Sequence, residues 1–357
     1  MTQTNSNSNP LSTVWYTRCP VPTGLGIAIQ KGWLQEKFNA HKIEIKSLRE
    51  SHSQDIRNSH FNHTLENSVR HGGSIPAIWA YASGQNTKII GLSWADEAQL
   101  LLTRFDTNIK NVQDLRGKRF GIPHNQDALI DFSRAQAIRG LENSLKTVGL
   151  TVNDVELVDT FRQDIITART KQYLKFEDDS SFYGNRNPLN ANAELVALLT
   201  GQVDAIFLKG AQAVQIAHDF ALYTIIDIGA HPDPLLRSNN GTPRTLTVDD
   251  HFIQHFPNQV KHIVESVLEA EQWSHQHPQE THQYLAQECQ SADKWVPIAY
   301  GKDAHLKLNT NFDESSILAL QDLSDFLHRW NFIPHKIDVK NWLAPDLYQQ
   351  ILAEQAA

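Results

Sequence analysis

Short β-branched and aromatic runs alternate with helix-spaced apolar stripes through most of this chain, which commits it to an α/β fold with a mostly parallel sheet. Ser12–Tyr16 reads as a first strand, and Thr23–Gln35 as a helical stripe broken by Gly24, Gly26 and Gly32. Lys42–Lys46 alternates as a strand, whereas residues 48–63, rich in Ser, His and Asn, read as a loop. Ser74 with an early Pro76 marks a helix start, and Thr87–Leu92 is the next strand. Asp114–Pro123 gives a turn and a strand, followed by a helix over Asp131–Val148 and a strand at Val155–Val158. Asn192–Leu199 is helical, Gly201–Phe207 is a turn with a buried strand, and Tyr223–Ile228 is a further strand. Thr245–Val248 returns the chain to its first domain, and the remainder to Ala357 is mainly helical. Lys175–Pro188, rich in charge, Gly and Asn, reads as a mobile excursion of the second domain.

At 357 residues the chain exceeds one ordinary core, so two domains are expected. A continuous middle domain inserted in a discontinuous first one, with a ligand cleft between them, fits the order of elements. The boundaries fall at 1–103 with 236–357 for the first lobe and 104–235 for the second. A net charge of −8 without a Lys/Arg-rich run argues against a nucleic-acid partner. Two cysteines cannot make a disulfide framework. Met1–Leu11 lacks the basic start and apolar stretch of a secretory signal, and no run approaches membrane-spanning length. The expectation is a cytoplasmic monomer without a membrane partner.

One of those cysteines, Cys19, sits in Thr17-Arg18-Cys19-Pro20-Val21-Pro22, at the carboxyl end of the first strand and just before a helix. Ligands of open α/β sheets bind at that end. A helix N-terminus and the neighbouring Arg18 both favour thiolate over thiol. A free cysteine is also commonly a small buried hydrophobe, so placement alone leaves packing and chemistry both open. Further along, Arg70-His71-Gly72-Gly73 combines a bidentate cation with glycines that let backbone N–H groups approach an anion.

The runs Asp114-Leu115-Arg116-Gly117-Lys118-Arg119-Phe120-Gly121 and Gly201-Gln202-Val203-Asp204-Ala205 resemble the two-lobed periplasmic-binding-protein fold of sulfonate and nitrate uptake. Cys19-Pro20-Val21-Pro22, His60-Phe61 and Arg70 with Gly72-Gly73 and Ile75-Pro76 sharpen the likeness to the aromatic sulfinate desulfinase family. Asn153–Val158 and Asn341–Pro345 extend it over nearly the whole chain. The resemblance implies a type II periplasmic-binding-protein-like α/β fold, with two lobes around a central cleft. It implies a hydrolase that cleaves the C–S bond of an aryl sulfinate and releases sulfite without a cofactor, or a desulfinase-like hydrolase with a different substrate. It places the catalytic thiol on Cys19 and its proton partner on His60, with His63 as the alternative. The sulfinate-binding arginine falls on Arg70, and the supporting backbone N–H on Gly73 beside Gly72. The family's aromatic wall falls on Gln136, with Phe132 one turn earlier able to replace it.

A sulfinate is a monoanion with two acceptor oxygens, which a guanidinium fork matches better than an ammonium does. Cys19 either attacks sulfur as a thiolate or protonates the ring carbon that bears sulfur; the sequence leaves both open. His124 and Lys209 follow strands of the second lobe and are expected, with Phe132 and Gln136, to shape the pocket for the organic group. Among 17 histidines the pairs His60/His63, His251/His255 and His275/His277 have ligand-like spacing, yet none brings a matching Cys, Asp or Glu set, so no metal is expected. A non-catalytic solute-binding protein for a sulfonate- or nitrate-like anion is the rival reading, and it has no need of Cys19. A thiamine-pyrimidine-synthase-type enzyme would require a Cys-rich motif that two cysteines cannot supply.

Overall fold

A computed structural model of the chain describes residues 11–126, 128–161 and 193–355. The stretch Lys175–Pro188 lies outside the described residues. The described residues form two sheets flanked by helices. The first has the strand order β11-β4-β10-β3-β1-β2, built from β1 (Thr13–Arg18), β2 (Glu44–Ser47), β3 (Ser68–Gly73), β4 (Thr87–Ser93), β10 (Arg244–Asp249) and β11 (Thr310–Asn311). The second has the order β7-β6-β8-β5-β9, from β5 (Gln99–Thr103), β6 (Arg119–His124), β7 (Glu156–Phe161), β8 (Ala205–Lys209) and β9 (Tyr223–Asp227).

Both sheets are mixed, which corrects the expectation of mostly parallel pairing. β1 is parallel to β2 and β3, and β6 is parallel to β7 and β8. β10 runs antiparallel between β3 and β4, and β5 antiparallel between β8 and β9. The cause is the crossing of the chain. Strands built by βα units end at the cleft, whereas β5 and β10 begin there after a crossing and must run the other way. β5 also moves the expected boundary at residue 103, because Gln99–Thr103 is hydrogen-bonded into the second sheet.

Residues 54–62 are helix rather than loop. Ser53 caps α3 (Gln54–Asn62) by accepting from the Ile56 N–H, and His63 closes it in the left-handed conformation at φ 52°. The stripe after the Cys19 loop becomes α1 (Gly24–Gln30) and α2 (Trp33–Asn39), parted by Gly32 at φ 76°. α4 (Ser74–Ala82) follows β3 directly, with Pro76 in its first turn, where the missing N–H costs nothing. α5 (Phe132–Lys146) belongs to the second lobe.

Three apolar clusters hold the lobes. Val14, Leu25, Val69, Leu246 and Val264 fill the first lobe. A second cluster joins Ile75 and Ile78 of α4 to Ile138 and Leu141 of α5, and a third joins Ile27 to Leu102 and Leu208. The lobes therefore share apolar core rather than meeting only across a wet hinge.

Candidate functional site

The register of β1 on β3 builds the site. Thr17 lies opposite Arg70 and Arg18 opposite His71, and the Cys19 N–H donates to the His71 carbonyl at 3.1 Å. Pairing thus runs one residue beyond β1 and sets Cys19 beside Gly72. A Cβ on Gly72 would lie 2.3 Å from Cys19 Sγ, so only glycine leaves room for the thiol.

Three groups converge on that sulfur. The Gly73 N–H donates to Sγ at 3.4 Å, Arg70 Nη2 donates to it at 3.6 Å, and His60 Nε2 lies 3.8 Å away. Cys19 is half-buried and not in a disulfide. The helix whose start faces the thiol is α4, capped by Gly73, and not α1. Arg18 is likewise turned away: its Nε donates to Glu288 at 2.5 Å. The cation at the thiol is Arg70, a partner that spacing along the sequence does not reveal.

Arg70 is only 3 % exposed. Its Nε donates to the His60 carbonyl at 3.0 Å, and its buried Nη1 has no hydrogen-bond partner. Among the described residues no carboxylate pairs with it. A buried cation without a counter-ion is costly, and an anion is the group that would complete it. His60, on the buried face of α3, is oriented by Thr17, whose Oγ1 lies 2.7 Å from Nδ1. Burial first, then the Arg70 charge, holds the His60 pKa well below 6.5, so the imidazole facing the thiol is neutral at pH 7. His63 is also buried and depressed by burial and Arg70, but it lines a small cavity with Thr17, Ser59, Arg70 and Asp249. His60 is the histidine that contacts Cys19.

The second-lobe residues divide. Phe132 comes to the site: its ring stacks on Phe61 at 6.0 Å, and Phe61 meets the His60 ring edge-on at 4.8 Å. Gln136 reaches it through Asn240, whose Nδ2 donates to Gln136 Oε1 at 3.4 Å. His124 instead pairs with Asp159 at 3.2 Å and packs on Phe161. Lys209 is held in an ion pair. Its Nζ donates to Glu97 at 2.6 Å, and Glu97 also holds the fully buried Arg244 at 3.3 Å. Thr17 and Asn240 were not anticipated. Thr17 carried a signal, as the hydroxyl two residues before Cys19 on one strand; Asn240 contacts the site only across 165 residues of chain. Among the described residues, no group of three His, Cys, Asp or Glu could hold a metal ion, and no helix is long and apolar enough to cross a membrane.

No protein-family model matches the chain. It is 23% identical to 2'-hydroxybiphenyl-2-sulfinate desulfinase of Rhodococcus erythropolis over 364 residues, covering 95% of this chain and 93% of that protein, and equally so to the enzyme of Rhodococcus qingshengii. The chain resembles an aryl sulfinate desulfinase from end to end. Among solved structures it matches a cysteine-to-serine variant of DszB in complex with biphenyl-2-sulfinic acid, with a TM-score of 0.74 at 22% identity over 96% of this chain and 99% of that one. The desulfurization enzyme DszB itself gives 0.71 at 21% identity over the same shares. The periplasmic aliphatic sulphonate binding protein SsuA of Escherichia coli gives 0.64 at 14% identity, over 93% and 92%. The fold is that of the two-lobed sulfonate-binding proteins.

Proposed function

We propose that this chain is a desulfinase that hydrolyses the C–S bond of an aryl sulfinate and releases sulfite. The observation that carries the reading is Arg70: a buried guanidinium with no carboxylate partner among the described residues, touching a half-buried thiol. The likeness to the Rhodococcus desulfinases over 95% of the chain supports the substrate class.

In this reading Arg70 and the Gly73 N–H hold the sulfinate oxygens, and the ring carbon bearing sulfur rests against Cys19. Neutral His60, fixed by Thr17, presents Nε2 to the thiol and keeps its proton beside the substrate. Cys19 gives that proton to the ring carbon, the C–S bonding pair returns to the ring, and sulfur leaves as SO2. Water then converts SO2 to bisulfite and returns a proton to the thiolate, which Arg70 and Gly73 stabilise meanwhile. The sum is one sulfinate and one water giving one arene and one bisulfite. The depressed His60 favours this route over thiolate attack on sulfur, because a thiolate–imidazolium pair would need the protonated ring that burial and Arg70 disfavour. Phe61 and Phe132 offer stacking surface to an aromatic group.

The test is a panel of aryl and alkyl sulfinates, with sulfonates and nitrate as controls. Sulfite release by the wild type, lost in Cys19→Ser, is the expected outcome. Tight binding with no release from any member would make the chain a solute-binding protein instead. Mass spectrometry of quenched enzyme is expected to find unmodified Cys19, since only attack on sulfur leaves an adduct.

A further inference from the structure

We propose that Asn240, on the turn by which the chain returns from the second lobe, is a positioning residue that aims the Gly73 N–H at Cys19. The inference rests on the reading of Cys19, Arg70 and Gly73 as the reacting site. Asn240 is buried at the start of α4 and occupies its first two N–H groups. Its carbonyl accepts from Ser74 N–H at 2.7 Å and its Oδ1 from Ile75 N–H at 2.9 Å. The Ser74 hydroxyl donates to the Pro243 carbonyl of the same turn. With those donors consumed, the Gly73 N–H is the one directed at sulfur. A Cβ on Gly73 would lie 2.6 Å from Asn240 Oδ1, so the two residues fit only while position 73 is glycine.

The turn also joins the lobes. Asn240 Nδ2 donates to Gln136 Oε1 of α5, and Asn239 Nδ2 donates to the Gln136 carbonyl at 3.1 Å and to Gln99 Oε1 at 3.0 Å, at the start of β5. Gln136 therefore serves the site at one remove, by making the aim of the Gly73 N–H depend on the second lobe being seated. Among the described residues the charged and titratable groups facing the sulfur are Arg70 and His60, and Arg18 is paired with Glu288.

Alkylation of Cys19 by iodoacetamide across pH reads the thiolate directly and needs no turnover; Cys289 is buried and does not compete. Asn240→Ala is expected to raise the midpoint by about half a pH unit and Gln136→Leu by less, in the same direction, with folding retained. Biphenyl-2-sulfinate should protect Cys19 less well in Asn240→Ala than in wild type. An unchanged midpoint in folded Asn240→Ala overturns the proposal; should that variant not fold, an unchanged midpoint in Gln136→Leu does so. These shifts in the variants, beside a wild type that releases no sulfite, sink the desulfinase reading and leave the positioning role standing.

Discussion

Arg70 Nη2 lies 3.6 Å from Cys19 Sγ, although the register of β1 on β3 pairs Arg70 with Thr17, two residues before the cysteine. A cation buried against a thiol, with no carboxylate among the described residues to neutralise it, is poorly suited to stability and well suited to an anionic substrate.

The first prediction follows from that imbalance. Arg70→Met removes a buried charge that lacks a counter-ion among the described residues, so unfolding stability should hold within about 1 kcal/mol or rise. Activity should fall by at least about 100-fold in kcat/KM, because the anion loses its bidentate partner. Thermal melts and steady-state kinetics on one preparation check both halves; a melting temperature that collapses with activity would make Arg70 structural.

Gly72→Ala addresses thiol placement. The new Cβ would sit 2.3 Å from Sγ and must push the thiol from its three contacts. A displacement of that order costs about 100-fold in kcat. The same Cβ would lie 2.8 Å from Cys19 Cβ and 3.2 Å from its backbone nitrogen, so the end of β1 must shift as well, and thermal melts beside the kinetics should show a lower melting temperature with the loss of activity.

Glu271 gives a pH signature away from the site. It is fully buried, accepts from Thr310 N–H at 2.8 Å and Thr310 Oγ1 at 2.6 Å, and burial pushes its pKa up to about 8 from 4.5. Between those values the folded chain holds a proton that the unfolded chain has lost. Stability is therefore lost as pH rises from 4.5 through about 8. Glu271→Gln mimics the protonated acid, so urea midpoints of variant and wild type should agree at pH 5 and diverge at pH 9 in favour of the variant. Parallel profiles would contradict the assignment.

Glu97 is the hub of a buried ion cluster between the lobes, and its two partners should not respond equally. Glu97→Ala strands Arg244, which has no exposure, and should cost about 3–5 kcal/mol. Lys209→Met leaves Glu97 its Arg244 partner, so it should cost much less and leave KM for an aryl sulfinate near wild type. A large KM rise in Lys209→Met would place Lys209 in the substrate pocket.

The sequence carries the site unevenly, for physical reasons. Cys19, Gly72 and Gly73 were legible because strand ends in an α/β sheet are where chemistry gathers, and short polar runs there stand out. The helix bearing His60 was missed because Ser, His and Asn obscure an apolar stripe, although Ser53 was present as a cap. Arg18 was credited with the charge at the thiol because it is adjacent, while its salt bridge to Glu288 spans 270 residues. The ion pair of Lys209 was hidden for the same reason, its partner Glu97 being 112 residues away. Mixed pairing in both sheets comes from the two crossings between lobes, which strand patterns do not record.

The most direct test is a single turnover of biphenyl-2-sulfinate by excess enzyme, with arene and sulfite both quantified. The account predicts the two in equal amounts from wild type, and neither from Cys19→Ser, which should still bind the sulfinate through Arg70. No sulfite from the wild type, or undiminished release by Cys19→Ser, would contradict it.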